Sequence, residues 1–499
     1  MKRINLIIVA LLVSTPMVFG GGLVTNTNQS AAWARTLTRQ ASTDIDAVYF
    51  NPAGLARLDN GLHLSLSNQS IFQTRTIKSD FAFLNGAPES TYQAELTAPV
   101  FPSIYGAYKM DKWTFSAGFN IIGGGGSADF QEGLPSFEIP VSSLVPGLQA
   151  SLLPLDQGIE AQTGWNPGYA NITGYDMDAA FNGSSTYMGI QVGATYAINE
   201  MISVAIGGRY VSATNTYEGS LSGVTIDAPY GGEGPDGTQI PGDYLRRVAD
   251  NLDALGEPSL DETIIGLRTN AAGLDVMTAD AALDAVQKGS GFAPIIGVNL
   301  HLTDMVDVAL KYEHHTKIVL TNETVVDDVN MFPDGAETRA DLPGMVSLGT
   351  QLKPLKNLTA MVGINYFLDK SAYYGKTDDA GEQINNELSI DQNGYSIAAS
   401  LEYKILDMLG VSAGFSTGNN GVNSQYQSDM SYALKSNSVG GGLFVDVGDL
   451  LTINAGFVYT MYQDYPNAQT YDLGGTQVPF TDTYGKDNML FAVGVDIHL

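Results

Sequence analysis

The sequence predicts an all-β fold: a transmembrane antiparallel β-barrel of about fourteen strands, plugged by its own N-terminal segment. Three observations predict it. Apolar residues recur with period two in strand after strand. The opposite faces are small, polar or charged. The connections alternate between short turns and long polar loops.

Composition sets the bounds. The chain has 499 residues with 56 Gly, 25 Tyr, no Cys and a formal net charge of −29. Charged residues make up 15 % and hydrophobic residues 44 %, which argues against disorder. The acidic balance excludes nucleic acid as a natural partner. Without cysteine there is no disulfide framework and no thiolate chemistry. Lys2 and Arg3, the run LIIVALLV and small residues near Gly20 form a secretion signal over residues 1–20. Its apolar run is too short for a membrane anchor.

The strands follow in order. They are expected to begin near residues 62, 100, 113, 187, 202, 292, 306, 342, 358, 394, 409, 438, 451 and 489. In 358–368, Leu358, Ala360, Val362, Ile364, Tyr366 and Leu368 share one face. In 395–405, Tyr395, Ile397, Ala399, Leu401, Tyr403 and Ile405 do the same. Short turns fall at 110–112, 199–201, 303–305, 354–357, 406–408 and 447–449. A soluble sandwich would point the apolar faces inward to a core; a membrane barrel points them out to lipid. Arg209, Asp307, Lys311, Glu313, Glu402, Lys404 and Asp446 all fall on the other face. That suits a wet lumen, because a charge facing mid-bilayer would cost up to about 2–4 kcal/mol. The barrel, with its loops, is expected over 61–499. The longest loops, near 127–184 and 217–290, need structure of their own. In the second, Leu245, Val248, Leu252 and Leu255 are spaced as a helix stripe, and Thr278 reads as the N-cap of another helix.

Residues 21–60 precede the first strand. They are too irregular to span lipid, where unpaired backbone is penalised, so they are placed inside the barrel as a hatch. Within them AVYFNPAGLARL breaks at Asn51, Pro52, Ala53 and Gly54, a tight turn in which Asn can cap backbone groups. Alone, the four residues also suit an ordinary surface turn. The longer segment GGLVTNTNQSAAWARTLTRQASTDIDAVYFNPAGLARL resembles the hatch of the long-chain fatty acid transporter family, the FadL/TodX-type outer-membrane proteins. The likeness rests on the Asp-containing run Ala41 to Asp46, the aromatics Tyr49 and Phe50, and Asn51 to Gly54 just before the first strand. It covers about forty residues specifically, and the strand count extends it less specifically. The chain departs from such barrels in ending at Leu499 rather than an aromatic residue, and in loop length.

The resemblance implies passive uptake of hydrophobic molecules. Ligand is caught among extracellular loops, passes to a lumen pocket, and leaves through a gap in the wall at a kinked third strand. Here the third strand ends in Gly123, Gly124, Gly125 and Gly126, and glycine in a strand marks bends and bulges; the run also reads as a flexible entry to the next loop. Arg209 and Lys311 are candidates for a carboxylate headgroup, or for internal pairing with Glu313, Glu402, Asp44 or Asp46. Phe367 and Phe444 either line an apolar pocket or pack on the hatch. The Leu245, Val248, Leu252, Leu255 stripe is either groove wall or the packed face of a loop helix.

No cofactor, metal or enzymatic site is expected. The histidines show no ligand spacing beyond adjacent His314 and His315, which point to opposite strand faces. No phosphate loop or nucleophile elbow occurs. The expected partners are hydrophobic small molecules, outer-membrane lipid and lipopolysaccharide, around a monomer in the outer membrane. The alternatives are a polar-solute porin and a structural or adhesive surface barrel.

Overall fold

The computed structural model describes residues 23–230, 237–375 and 386–499; the secretion signal read at 1–20 lies outside them. Fourteen long strands form the wall: β1 (Gly61–Ser79), β2 (Ser90–Met110), β3 (Trp113–Phe130), β4 (Gly174–Ala197), β5 (Ile202–Ala228), β6 (Ala281–Thr303), β7 (Val306–Glu313), β8 (Met345–Leu355), β9 (Leu358–Phe367), β10 (Tyr395–Leu406), β11 (Leu409–Asn419), β12 (Ser436–Val447), β13 (Leu451–Tyr462) and β14 (Thr476–His498). Each pairs antiparallel with its chain neighbours, and β1 meets β14 from His63↔His498 to Ser79↔Asp482. The sheet therefore closes on itself, which removes the free edges that would otherwise seek partners. Short strands Gly237–Gln239, Val319–Asp327, Glu337–Arg339 and Tyr465–Leu473 extend the wall on the long-loop side.

Alternation decides what faces where. Val362, Ile397, Phe415 and Val493 are outward and 53 %, 42 %, 48 % and 60 % exposed. Between them Asn365, Ser396, Ser416 and Asn488 are buried inward. The same outward band includes Leu64, Ile104, Ile190, Ile206, Phe292 and Leu310. A water-filled exterior would not tolerate so large an apolar surface, whereas acyl chains favour it. Among the described residues no helix is long and apolar enough to cross a membrane; the strands do the crossing.

Several strands start earlier than the alternation suggests. β2 begins at Ser90, β4 at Gly174, β6 at Ala281 and β14 at Thr476. The loops are correspondingly shorter, 131–173 and 229–280. Beyond the bilayer both strand faces meet polar surroundings, so period-two apolarity fades although the ladder continues.

The two loops carry helices α3 (Pro135–Ser142), α4 (Leu144–Thr163), α5 (Pro241–Asp253) and α6 (Asp261–Met277); the shorter α1 (Ala31–Thr36) and α2 (Ala47–Phe50) precede the barrel. Leu148 and Leu152 of α4, Leu245, Val248 and Leu252 of α5 and Ile264 and Leu274 of α6 share one core. Leu255 is not part of it: α5 stops at Asp253, and Leu255 is 57 % exposed. Thr278 ends α6 instead of starting a helix, its Oγ1 donating to Leu274 O at 2.9 Å; β6 follows three residues later, leaving no room for another helix.

The loop at 368–375 holds a buried acid. Asp369 accepts from Tyr374 Oη at 2.6 Å and from Gly394 N at 2.9 Å. Burial outweighs these bonds and pushes the carboxyl up to about 6 from 3.8. An acid with a raised folded value contributes stability below its unfolded value, and that contribution is lost as pH rises through about 6. The purified barrel is expected to lose thermal stability between pH 4.5 and 7.5 by more than Asp369→Asn does. Equal losses in calorimetry would refute the assignment.

Candidate functional site

The lumen is occupied by residues 23–58. α1 (Ala31–Thr36), α2 (Ala47–Phe50) and a 3₁₀ turn (Pro52–Arg57) follow one another through it. Ser30 caps α1, accepting from Trp33 N at 2.9 Å. Nearly every residue of this segment is buried. α1 packs on the inner faces of β11 to β14, and the 3₁₀ turn on β3 to β6.

Two charge clusters hold it. Arg39 binds within the segment: its Nε reaches Asp46 Oδ2 at 2.8 Å, and its Nη2 reaches Asp44 Oδ2 at 2.5 Å and Ser42 Oγ at 2.8 Å. Burial works against the Arg39 charge, but Asp46 and Asp44 hold it well above its ordinary value. Arg35 binds the wall, pairing with Glu402 and donating from Nε to Asn454 Oδ1 at 2.9 Å.

Asn51, Pro52, Ala53 and Gly54 form the docking corner. Asn51 Oδ1 accepts from Ala53 N at 3.2 Å, and its Nδ2 donates to the wall carbonyl of Val298 at 3.0 Å. Pro52 O accepts from Thr195 Oγ1 at 2.7 Å and Ala53 O from Ser203 Oγ at 2.8 Å. A Cβ on Gly54 would lie 2.1 Å from Ser42 O, so only glycine lets the chain fold back on itself here. A Cβ on Gly297 would likewise strike Asn51 Oδ1.

Arg209 and Lys311 lie together, both fully buried. Arg209 pairs with Glu313 and donates from Nη2 to Gln191 Oε1 at 2.7 Å. Lys311 Nζ donates to Tyr49 O at 3.1 Å and sits 3.4 Å from Glu313 Oε2. Both cations lie within 5 Å of the Tyr49 ring centre, at 4.9 and 4.8 Å. Both cations share one carboxylate, Glu313, two residues from Lys311, and Lys311 is also spent on holding α2. Phe444 carries the Arg35 guanidinium 4.6 Å above its ring, so it packs on the N-terminal segment. Phe367 is buried at the long-loop end of β9, where its N–H donates to Gly394 O. Leu245, Val248 and Leu252 belong to the loop-helix core.

Gly123 to Gly126 coincide with a break in the wall. β2 and β3 pair from Met110↔Trp113 to Ser103↔Asn120, then lose each other until Glu95↔Asp129. Over the same stretch β3 bulges twice against β4, at 121/123 and 124/126. Gly124 and Gly125 have φ of 62° and 114°, values L side chains rarely adopt. A Cβ on Gly125 would lie 2.6 Å from the Phe101 ring, which leans across the break. Pro99 and Pro102 on the facing edge have no N–H to continue a ladder. Leu96, Ala98, Phe101, Ile121, Ile122 and Ala128 around it are all buried and apolar. Residues 26–29 meet this kink directly. Asn26 N donates to Ile122 O at 2.8 Å, Asn26 Nδ2 to Gly124 O at 2.8 Å, and Gln29 Nε2 to Ile121 O at 2.8 Å. Sequence reading does not single out Asn26, Gln29 or Phe101; Gln29 and Asn26 lie one and four residues before the helix cap Ser30, and Phe101 carries no such signal.

Among the described residues no cluster of His, Asp and Glu could hold a metal ion. No protein-family model and no curated protein matches the chain. Solved structures do resemble it. A FadL homologue from Pseudomonas aeruginosa superposes over 96 % of this chain and 99 % of its own, at 13 % identity and TM-score 0.59. The toluene transporter TodX of P. putida covers 91 % and 94 %, at 14 % identity and TM-score 0.49. The first of these likenesses establishes the architecture: the chain has the fold of a FadL-type barrel.

Proposed function

We propose that the chain is an outer-membrane diffusion channel for uptake of hydrophobic compounds, long-chain fatty acids foremost, with residues 1–20 removed on export and 21–60 acting as its hatch. The observation that carries this reading is the pairing break between β2 and β3. The axial path is filled by a buried plug, while the side wall has a seven-residue stretch of β2 without its β3 partner, lined by apolar side chains. Such a barrel is a poor route for polar solutes and a good one for molecules leaving sideways into lipid. Each methylene moved from water to that lining gains about 0.8 kcal/mol. Plug and gap are coupled through Asn26 and Gln29 on the kink carbonyls, so movement of one alters the other.

Uptake of labelled oleate by a deletion strain tests this. Re-expressing the wild type restores uptake, and Asn51→Ala restores it only partly, because losing the bonds to Val298 and Ala53 loosens the corner by about 1–3 kcal/mol. Uptake unchanged by the deletion would rule the reading out.

A further inference from the structure

β6 lacks a ladder partner on one side for part of its length. It pairs with β7 from Thr303↔Val306 to Ile295↔Glu313, and with the short strand Val319–Asp327 from Lys288↔Thr321 onward. Between these stretches residues 289–294 face no strand on that side. The chain leaving β7 passes behind the wall instead. Thr316, Ile318 and Leu320 are buried. A Cβ on Gly289 would lie 2.3 Å from Val319 O, and one on Gly291 2.5 Å from Lys317 O. Both glycines fall on the inward face, between exposed Lys288, Ser290 and Phe292. They let the second backbone press directly against the first. The outer surface is left with a groove of about 500 Å³, whose lining includes Tyr210, Ser212, Lys288, Ser290, Lys317 and Thr321.

Height and lining point to one occupant. Lys288 pairs with Thr214 of β5, which leaves its short turn at Ile202. From 202 to 214, at ~3.3 Å per residue and ~40° of tilt, the strand climbs about 30 Å. That sets Lys288 at the upper edge of the apolar band, about 25 Å tall in such barrels. Below the groove the outer wall is lipid-facing: Tyr210 stands opposite Phe292 and Ile206 opposite Ile296, each more than half exposed. Two exposed lysines ringed by hydroxyls therefore sit just above a greasy strip, on a chain whose formal net charge is −29. Lys288 meets Glu323 at 2.5 Å, both more than half exposed; such a surface pair is worth little and gives way to a stronger anion. Lys317 forms no ion pair among the described residues.

We propose that Lys288 and Lys317, with the hydroxyls of Ser212 and Ser290, hold a phosphate of lipopolysaccharide, the phosphorylated glycolipid of the outer leaflet, whose acyl chains descend over Tyr210, Phe292, Ile206 and Ile296. An ammonium binds phosphate as a compact charge, and the hydroxyls donate to the oxygens left over. The groove is far larger than a phosphate ion, which favours a headgroup carrying sugar over a bare phosphoglycerol. The assignment rests on the outer-membrane placement proposed above and is independent of what the channel carries.

The test is titration of the full-length barrel in nonionic detergent with bisphosphorylated lipid A, its dephosphorylated form and phosphatidylglycerol. Wild type is expected to bind bisphosphorylated lipid A at least about tenfold more tightly than either other lipid, and Lys288→Gln/Lys317→Gln to lose about five- to thirtyfold for it but under about twofold for the dephosphorylated form. Lys288→Arg/Lys317→Arg keeps the charge and stays within about threefold of wild type. Lys353→Gln/Lys356→Gln removes the same charge from exposed positions beside the short turn at 354–357 and leaves lipid A binding unchanged. Undiminished binding by Lys288→Gln/Lys317→Gln, or an equal loss in Lys353→Gln/Lys356→Gln, overturns the site. Phosphatidylglycerol bound as tightly as lipid A overturns lipopolysaccharide as the occupant. Millimolar inorganic phosphate displacing lipid A shows a site for small free anions and overturns it too. Each of these results leaves the outer-membrane reading intact; wild type recovered with the inner membrane on density-gradient separation defeats that reading itself.

Discussion

Arg35→Ala is expected to turn a barrel that is silent in planar bilayers into one that passes ion current. Arg35 is the strongest tie between α1 and the wall, reaching Glu402 on β10, Asn454 on β13 and the Phe444 ring. Its loss leaves the Glu402 carboxylate, largely buried, without its cation. Breaking a buried pair from one side costs about 3–5 kcal/mol, enough to undock a short helix of six residues that has little stability alone. The double variant Arg35→Ala/Glu402→Gln removes the stranded charge and recovers part of the seal. A silent Arg35→Ala barrel would show that the plug is held without this pair. A large steady current from the wild type would instead favour the polar-solute porin.

Deleting Ile122 and Gly125 together is expected to abolish lateral passage while leaving a folded barrel. These are the two residues that β3 carries in excess of β4, one at each bulge. Without them β3 runs in continuous register with β4, which straightens it and brings its edge back toward residues 96–102 of β2. Oleate uptake then falls to the level of the deletion strain, and the heat-modifiable migration of a closed barrel persists on gels. Unimpaired uptake by such a protein would place the exit elsewhere.

How much of this was legible in the sequence depended on where a residue sits relative to lipid. Inside the bilayer the two strand faces meet opposite solvents, so Val362 and Asn365, or Ile397 and Ser396, declare themselves by composition. The same contrast made the strand count readable. Above the bilayer it vanishes. The stretch from Gln73 to Ser79 is polar on nearly every residue, and so is that from Thr481 to Asn488. Both are strand, and together they bring Arg75 against Lys486. Extending the inward phase of β14 back from Leu490 and Asn488 would have reached Lys486, but not its place opposite Arg75. Pairing is a property of the closed barrel: Glu313 meets Arg209 from 104 residues away. Sequence spacing does not reveal which cation meets which acid. The Gly123–Gly126 run was visible, whereas the loss of β2 contact opposite it depends on register.

The seam between β1 and β14 has a consequence for the order of events during biogenesis. The plug leaves the ribosome ahead of every strand, yet Arg35 must wait for Asn454, 419 residues later. Contacts so distant in the chain are made late and slowly. The barrel is expected to stay unzipped at its first and last strands until the C-terminal hairpins arrive, with α1 seating as the ring shuts. Refolding followed by a probe on α1 should therefore lag behind the appearance of strand signal, and a nascent chain halted before β13 should leave its amino end open to protease.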